Sequence, residues 1–356
     1  MKITEVVLTA PRRSEARDVE LAPLAPTDVL VEVRSCGVCS SEQPVWRGET
    51  KGVPGVSFRY ADYPASLGHE VAGVVADIGS AVTSVEVGER VTGVAYRSSG
   101  FASHVVDDQS MFIRAPENVP IEAALGEPLM AVTNIVRQAD ASAGDFALIV
   151  GDGFLSLLTV ALLARHPLRG LVMVGHHDDR LALAREFGAT ATINGKTEDA
   201  YWGVRKLVDG ERHDPDRTPW KGGVELAFEF AGKMSALQLS ASLCKAKSRA
   251  KLVMPSFYDA EPFTIGHYLM NRGPSLLVCH PAHSPDLMAD LARAMWALEA
   301  GHFPIESLIT HAFDLDGVDR AMQMAADRED GYIKGIVVPD FAKLESADSY
   351  ARVATA

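Results

Sequence analysis

The chain has 356 residues, 47% of them hydrophobic and 23% charged, and its formal net charge at pH 7 is −13. This acidic balance argues against nucleic acid or an anionic membrane as a partner, because both are negatively charged. No apolar run reaches the ~20 residues that a membrane-spanning helix needs. The N-terminal MKITEVVLTAPRRSE lacks the apolar block of a signal peptide, and four cysteines are too few for a disulfide framework. We therefore expect a globular protein of the reducing cytoplasm.

Residues 1–127 are predicted to form a β-rich domain. The segments TDVLVEVRSC, HEVAGVVADIG, GERVTGVAY and FASHVVDD contain alternating or short apolar runs, and Gly, Pro and Asp separate them. Short strands bounded by such turn residues are typical of antiparallel sheets.

The pattern changes in residues 128–283, where strands alternate with helices. DFALIV, GLVMVG, ATATIN, VELAFEFAG, AKLVMPS and PSLLVCH are predicted strands, and FLSLLTVALLARH and DDRLALAREFG are predicted helices. This alternation predicts an α/β fold with a doubly wound parallel sheet, covered by helices on both faces. The polar segment 204–223 is predicted to be an exposed loop. Residues 284–356 return to the earlier pattern, so the α/β domain is expected to interrupt the β-rich domain.

The turn after the first α/β strand carries a candidate dinucleotide site. Its sequence VGDGFLS places Gly151 and Gly153 as in GxGxxG, followed by Phe154 and Leu155, with Ser156 at the third glycine position. The first glycine allows the tight turn, and the second lets the backbone approach a pyrophosphate. The helix that follows would offer its N-terminal N–H groups and its positive dipole end to the phosphates.

The end of the second α/β strand bears on the choice of dinucleotide. This strand ends in Asp or Glu when the adenosine ribose carries free hydroxyls, as in NAD. Here the sequence is VMVGHHDDR, with Gly175 where the carboxylate is expected. His176, His177 and Arg180 follow and could contact a 2′-phosphate. The pattern favours NADP, although the two aspartates in the same run keep NAD open.

The motif CGVC, from Cys36 to Cys39, could be half of a structural zinc knot, a redox dithiol, a disulfide, or one metal ligand beside an unrelated cysteine. No second cysteine pair follows, so a four-cysteine knot is excluded. LGHEVAGVV adds His69 and Glu70, and ALGEPLMAV adds Glu127. One thiolate, one imidazole and one or two carboxylates are typical of an open, catalytic zinc site.

These motifs resemble those of the medium-chain, zinc-dependent alcohol and polyol dehydrogenases, and the resemblance covers essentially the whole chain. The family patterns CGxCxSD/E and GHExxGxV occur as CGVCSSE and GHEVAGVV, and the EPL of the sorbitol and threonine dehydrogenase-like branches is present. The resemblance implies a GroES-like catalytic domain interrupted by a Rossmann domain. It also implies a zinc ion held by Cys39 and His69, with Glu70 or Glu127 or both, and it leaves Cys36 without a role.

Three features depart from the family pattern. Pro44 stands where many members have the histidine that ends a proton relay. No cysteine lies between Cys39 and Cys244, so the structural-zinc lobe is absent and one zinc ion per chain is expected. Ser156 replaces a glycine of the phosphate turn.

The resemblance implies reversible conversion of a secondary alcohol (a polyol, sugar or hydroxylated metabolite) into its ketone, with hydride transfer to NAD(P). Ser41, His69 and Glu70 are the predicted catalytic residues, and Ser41 would hydrogen-bond the alcohol and relay its proton. Members of the family are usually homodimers or homotetramers.

Candidate substrate-pocket residues follow the ligand cysteine. They are Trp46 and Arg47, with Phe58 and Tyr60 further along the chain. Trp46 could equally be a core residue and Arg47 a solvated one. An Arg47 that faces the site would suit an acidic or phosphorylated substrate.

Two other functions remain open from the sequence alone. One is a zinc-free, NADPH-dependent reductase of C=C bonds or quinones from the same superfamily, which the retained Cys39, His69 and Glu127 disfavour. The other is a non-catalytic NADP-binding protein, which the altered phosphate turn and the missing relay histidine would permit.

Overall fold

The computed structural model describes residues 1–53, 56–59, 61–210, 222–246, 248–256, 266–280, 284–329, 331–346 and 349–353, with side chains left out for 50–53, 56–59, 267 and 268. The chain divides into two units, Met1–Met130 with Met288–Ala356 and Ala131–Leu287. The domain borders expected from the sequence, after residues 127 and 283, lie three and four residues before the borders in the structure. The side chains of Phe58 and Tyr60 lie outside the described residues.

The helices and strands follow one another along the chain in a fixed order. They are β1 (Lys2–Ala10), β2 (Arg13–Glu20), β3 (Asp28–Gly37), α1 (Gln43–Arg47), β4 (Thr50–Val53), β5 (Val56–Arg59), β6 (Ala65–Ser66), β7 (Glu70–Ile78), β8 (Arg90–Val94), β9 (His104–Asp108), β10 (Phe112–Arg114), α2 (Gly126–Ala139), β11 (Phe146–Val150), α3 (Phe154–Leu163), β12 (Gly170–Gly175), α4 (Asp178–Glu186), β13 (Ala191–Asn194), α5 (Ala200–Asp209), β14 (Leu226–Glu229), α6 (Met234–Leu243), β15 (Lys251–Met254), α7 (His267–Arg272), β16 (Ser275–Val278), α8 (Leu287–Glu299), β17 (Ile309–Phe313), α9 (Val318–Asp327), β18 (Lys334–Val337) and β19 (Ala351–Val353).

The first unit is built on an eight-stranded sheet. Its strand order is β10-β8-β7-β3-β18-β17-β19, and β9 also pairs with β3. Among the described strands, β17 runs parallel to β18 and β19, and the other neighbours are antiparallel. The predicted antiparallel strands are confirmed as β3, β7, β8 and β9. The C-terminal part of the chain adds β17 to β19 to this sheet, so the β-rich domain is interrupted as the sequence predicted.

The second unit contains a six-stranded parallel sheet in the order β13-β12-β11-β14-β15-β16. This is the doubly wound Rossmann topology, in which the strand order reverses beside the first strand of the domain. That first strand is β11, which is apolar and almost wholly buried. The phosphate turn predicted from the sequence directly follows it.

One predicted loop is partly helical. α5 continues to Asp209, so the loop predicted over 204–223 begins too early, and residues 211–221 lie outside the described residues. The Asp199 side chain accepts a hydrogen bond from the Trp202 N–H and caps the helix, while Val204 and Arg205 are buried. Packing of this face extends the helix through a polar sequence.

Among the described residues, none of the helices combines the length and the apolar sequence that crossing a membrane requires.

Candidate functional site

The candidate metal site lies where β3 and β7 run side by side. Gly37, the last residue of β3, pairs with Glu70, the first residue of β7. The antiparallel register therefore places Cys39, just beyond β3, near His69, just before β7. The ligand atoms of Cys39, His69 and Glu70 all lie within 4.8 Å of one another. Glu70 is buried, whereas Cys39 and His69 are half-buried and keep access to solvent.

Two glycines make this close approach possible. A Cβ added to Gly37 would collide with the carboxylate of Glu70. Gly68 has a φ of +84°, and a Cβ there would lie 2.7 Å from the backbone nitrogen of Phe101. Only glycine allows the close approach at Gly37 and the positive φ at Gly68. A side chain at either position would therefore move Glu70 or His69.

Glu42 orients the imidazole of His69. Its Oε1 accepts a hydrogen bond from the Gly68 N–H at 2.6 Å and lies 2.8 Å from His69 Nδ1. A carboxylate at Nδ1 leaves Nε2 as the nitrogen that can bind a metal. Burial disfavours a proton on His69, but its hydrogen bonds with Cys39 and Glu42 outweigh burial and raise its pKa far above the usual value. Metal binding by the neutral imidazole would therefore release a proton.

Lys334 holds the carboxylate of Glu70. Its Nζ lies 2.5 Å from Glu70 Oε2 and donates to the Val38 carbonyl at 3.0 Å. Both side chains are buried, and Lys334 is only 4% exposed. Burial lowers the pKa of Lys334, but the charges of Glu70 and Cys39 outweigh it and raise the pKa above its ordinary value. The ammonium group thus remains charged and offsets the charge of Glu70.

Glu127 lies within electrostatic range of Glu70 and His69. Among the described residues, the group of close ligand atoms contains Cys39, His69 and Glu70 and does not contain Glu127. Glu127 is half-buried in the first turn of α2. Burial and then the charge of Glu70 raise the pKa of Glu127 to about 7. Of the two carboxylates that the sequence left open, Glu70 is therefore the one placed with Cys39 and His69.

The two cysteines of CGVC differ in environment. Cys39 is half-buried, and its Sγ accepts a hydrogen bond from the Oγ of the exposed Ser41 at 3.2 Å. The predicted relay hydroxyl therefore lies at the site. Cys36 is 0% exposed and belongs to the apolar core. Burial raises the pKa of Cys36 well above its usual value, so this residue stays a protonated thiol. A protonated, buried thiol is a poor metal ligand.

Trp46 lies in the apolar core, which is one of the two roles that the sequence left open for it. Trp46 is 1% exposed, belongs to the apolar core, and donates from Nε1 to Asp319 Oδ1 at 2.8 Å. A buried indole with its N–H satisfied packs the core and offers no surface to a substrate. Arg47 is half-buried and pairs with Glu49 at 3.2 Å. Its predicted role in substrate binding stays a prediction.

The phosphate turn lies between β11 and α3. Gly151 has a φ of +109°, and a Cβ there would lie within 3.1 Å of neighbouring backbone. A Cβ on Gly153, the residue before α3, would meet nothing within 4 Å, so this side of the turn is open. The first N–H groups of a helix have no acceptors within the helix and can bind phosphate. Phe154 and Ser156 are buried, Leu155 is half-buried, and the small Ser156 fits the packed position of the third glycine.

A carboxylate reaches the end of β12, although none projects from Gly175. The Oδ2 of Asp152, in the phosphate turn, accepts from the His176 N–H at 2.6 Å and the His177 N–H at 2.9 Å, and it lies 3.0 Å from His177 Nδ1. Burial raises the pKa of Asp152, but these hydrogen bonds outweigh it and lower the pKa overall. A carboxylate therefore does lie at this corner, and the phosphate turn supplies it in place of Gly175. Arg180 is buried and offers little surface to a ligand.

Sequence reasoning missed Glu42, Lys334 and Asp152. Glu42 lies inside the CGVCSSE motif, and a lysine opening the apolar KGIVV strand is a visible oddity. Asp152 occupies the variable position between Gly151 and Gly153. Nothing in the sequence indicates that its side chain contacts the end of the next strand, β12.

The comparisons with known proteins agree with this geometry. Residues 25–117 match the model of the alcohol dehydrogenase GroES-like domain. The uncharacterized zinc-type alcohol dehydrogenase-like protein YdjJ of Escherichia coli K12 is 23% identical over 95% of this chain and 99% of its own length. D-xylulose reductase A of Aspergillus niger is 29% identical over 51% of this chain and 58% of that enzyme. A Sinorhizobium meliloti 1021 protein described as a zinc-binding dehydrogenase, solved bound to NADP, has a TM-score of 0.79 at 24% identity, covering 95% of this chain and 100% of that one.

Proposed function

Because this chain belongs to the zinc-type medium-chain dehydrogenase/reductase superfamily, we propose that it interconverts a secondary alcohol and its ketone by hydride transfer with NAD(P). The observation that carries the proposal is the grouping of one thiolate, one imidazole and one carboxylate, from Cys39, His69 and Glu70, within 4.8 Å. A polyol, a sugar or another hydroxylated metabolite is the proposed substrate class, and the xylulose reductase among the relatives supports it.

The donor set suits one catalytic zinc ion per chain. Cys39, His69 and Glu70 would hold the ion, because one sulfur, one nitrogen and one oxygen donor are the ligand types that catalytic zinc takes. When bound, zinc supplies a Lewis acid that lowers the pKa of the substrate hydroxyl. Glu42 fixes the tautomer of His69, and Lys334 offsets the charge of Glu70 and holds its carboxylate in place.

Ser41 is the proposed proton relay. Its hydroxyl lies 3.2 Å from Cys39 Sγ, beside the atoms that would hold the metal. It can accept a hydrogen bond from the alcohol while it passes its own proton on. Because Ser41 is exposed, the proton can move directly to water, and the histidine replaced by Pro44 is not required.

NADP is the proposed dinucleotide, with His177 as the ligand of its 2′-phosphate. Asp152 holds Nδ1 of His177, which orients the half-buried ring and leaves Nε2 as the nitrogen that would meet the phosphate. The hydrogen bonds that Asp152 Oδ2 accepts from the backbone of His176 and His177 offset part of its repulsion of that anion. Substituting aspartate at Gly175 would not test this proposal, because a Cβ there would lie 2.6 Å from Asp152 Oδ2.

Two truncated ligands isolate the 2′-phosphate: adenosine 2′,5′-bisphosphate (2′,5′-ADP) carries it and 5′-AMP does not. We expect His177→Gln to weaken 2′,5′-ADP binding about tenfold or more, as for loss of a charge-assisted hydrogen bond, and to leave 5′-AMP binding unchanged. Asp152→Asn should weaken 2′,5′-ADP in the same direction. Calorimetric titration measures both, and tighter 2′,5′-ADP binding by Asp152→Asn would show that the carboxylate disfavours NADP.

The proposed reaction is tested with a panel of polyols, sugar alcohols, phosphorylated polyols and simple secondary alcohols, each with NAD and NADP. The absorbance of the reduced nicotinamide reports turnover. At least one hydroxylated substrate should be oxidised by the zinc-loaded protein. Dinucleotide binding without turnover of any alcohol or ketone would favour the non-catalytic alternative. Reduction of C=C bonds that persists after zinc is removed would favour the zinc-free reductase.

We also propose a homodimer or homotetramer. The edge strand β16 supports it, because Leu276 and Val278 are more than half exposed and no charged residue lies in the strand. Exposed apolar edge strands are commonly covered by a second chain.

A further inference from the structure

Tyr96 lies beside the candidate metal cluster, in a segment that the motifs do not include. Val94, the last residue of β8, pairs with Glu70, and the Ala95 N–H donates to the His69 carbonyl at 3.3 Å. The chain therefore runs beside Glu70 at Val94 and beside His69 at Ala95, and Tyr96 is the next residue.

The backbone at Tyr96 is held by a buried acidic residue. Oδ2 of Asp107 accepts from the Tyr96 N–H at 2.9 Å and from the Arg97 N–H at 3.1 Å. The Arg97 guanidinium bridges Asp107 at 2.9 Å and Asp28 at 2.8 Å. Both aspartates are buried. This network fixes the position of Tyr96 through its main chain.

The side chain of Tyr96 is nevertheless 66% exposed. A large aromatic ring on a rigid backbone, exposed next to a candidate catalytic site, is a common feature of ligand-binding surfaces. Partial burial and the charge of Glu127 raise the pKa of Tyr96, so the phenol stays protonated and lies within electrostatic range of Glu127. A neutral phenol both donates and accepts hydrogen bonds, and its ring offers an apolar face.

We propose that Tyr96 is a substrate-specificity residue that hydrogen-bonds a second hydroxyl of a polyhydroxylated alcohol at the Cys39–His69–Glu70 cluster. This inference rests on the proposed alcohol oxidation. The second hydroxyl distinguishes a polyol from a simple alcohol, and a site with a partner for it discriminates against substrates that lack it.

The test compares Tyr96→Phe with wild type on the best polyol of the panel and on a secondary mono-alcohol of the same carbon number. We expect kcat/KM for the polyol to fall about three- to tenfold, as for loss of one neutral hydrogen bond, mainly through KM. The mono-alcohol value should change less than about twofold, because Phe retains the ring. Trp296→Phe, at another exposed aromatic residue of the same unit, is the matched control and should change neither value. Bound zinc, measured for every variant, confirms that the site is intact.

Equal changes for polyol and mono-alcohol, or no change for either, would overturn the role of Tyr96 and leave the proposed reaction standing. A wild-type protein that oxidises no alcohol would overturn the proposed reaction and this inference with it.

Discussion

Cys39→Ser is expected to remove the bound zinc and to lower kcat/KM for the alcohol by about 10³-fold or more. The thiolate is the softest donor of the set, and a catalytic metal contributes several kcal/mol of transition-state stabilisation. Elemental analysis of the purified variant, together with its steady-state kinetics, measures both effects. His69→Ala should behave in the same way.

Cys36→Ala is the matched control, since Cys36 lies only three positions earlier in the same motif. Its thiol is buried and protonated and lies outside the ligand group in the described residues. Zinc content should therefore stay near the wild-type value, with a modest loss of stability from the small cavity. Zinc retained by Cys39→Ser and lost from Cys36→Ala would show that Cys39 is the wrong ligand.

Lys334→Met is expected to lower the free energy of unfolding by about 3–5 kcal/mol, the usual cost of leaving one partner of a buried ion pair without the other. Glu70 would lose the ammonium at 2.5 Å and remain almost wholly buried. Urea denaturation at a fixed zinc concentration measures the difference, because bound metal also stabilises the folded state.

Lys343→Met is the control for removing a lysine from an exposed ion pair. Lys343 pairs with Glu32, and its side chain is about half exposed, so the cost should be no more than about 1 kcal/mol. Adding Glu70→Gln to Lys334→Met should recover part of the lost stability, because the unpaired charge is then gone. If Lys334→Met costs no more than Lys343→Met, the buried pair does not hold Glu70 as inferred.

Local sequence patterns predict most of the fold because they report periodicity and turns. The alternation in the first 127 residues corresponds to β3, β7, β8 and β9, and the repeated strand–helix order corresponds to the six-stranded parallel sheet. The helix α5 was missed in part because its buried face, at Val204 and Arg205, is formed by tertiary packing within a polar sequence.

The motif residues of the candidate site were predictable because the resemblance to the dehydrogenase family implies roles for Cys39, His69 and the two carboxylates. The contacts that hold these residues in place were not predictable, because they join distant parts of the chain. Lys334 donates to Val38 across 296 positions, and Trp46 donates to Asp319 across 273. Such contacts depend on strand order and register, which one sequence does not contain. The carboxylate of Asp152 escaped prediction for the same reason, because its partners lie on the adjacent strand end.

The central claim is that Cys39, His69 and Glu70 hold a zinc ion that alcohol oxidation requires. The most direct measurement is turnover of a secondary alcohol by metal-stripped protein, followed as zinc is added back. Turnover should be absent at first and should rise with bound zinc until one ion per chain is reached. Full turnover by the metal-free protein would contradict the claim.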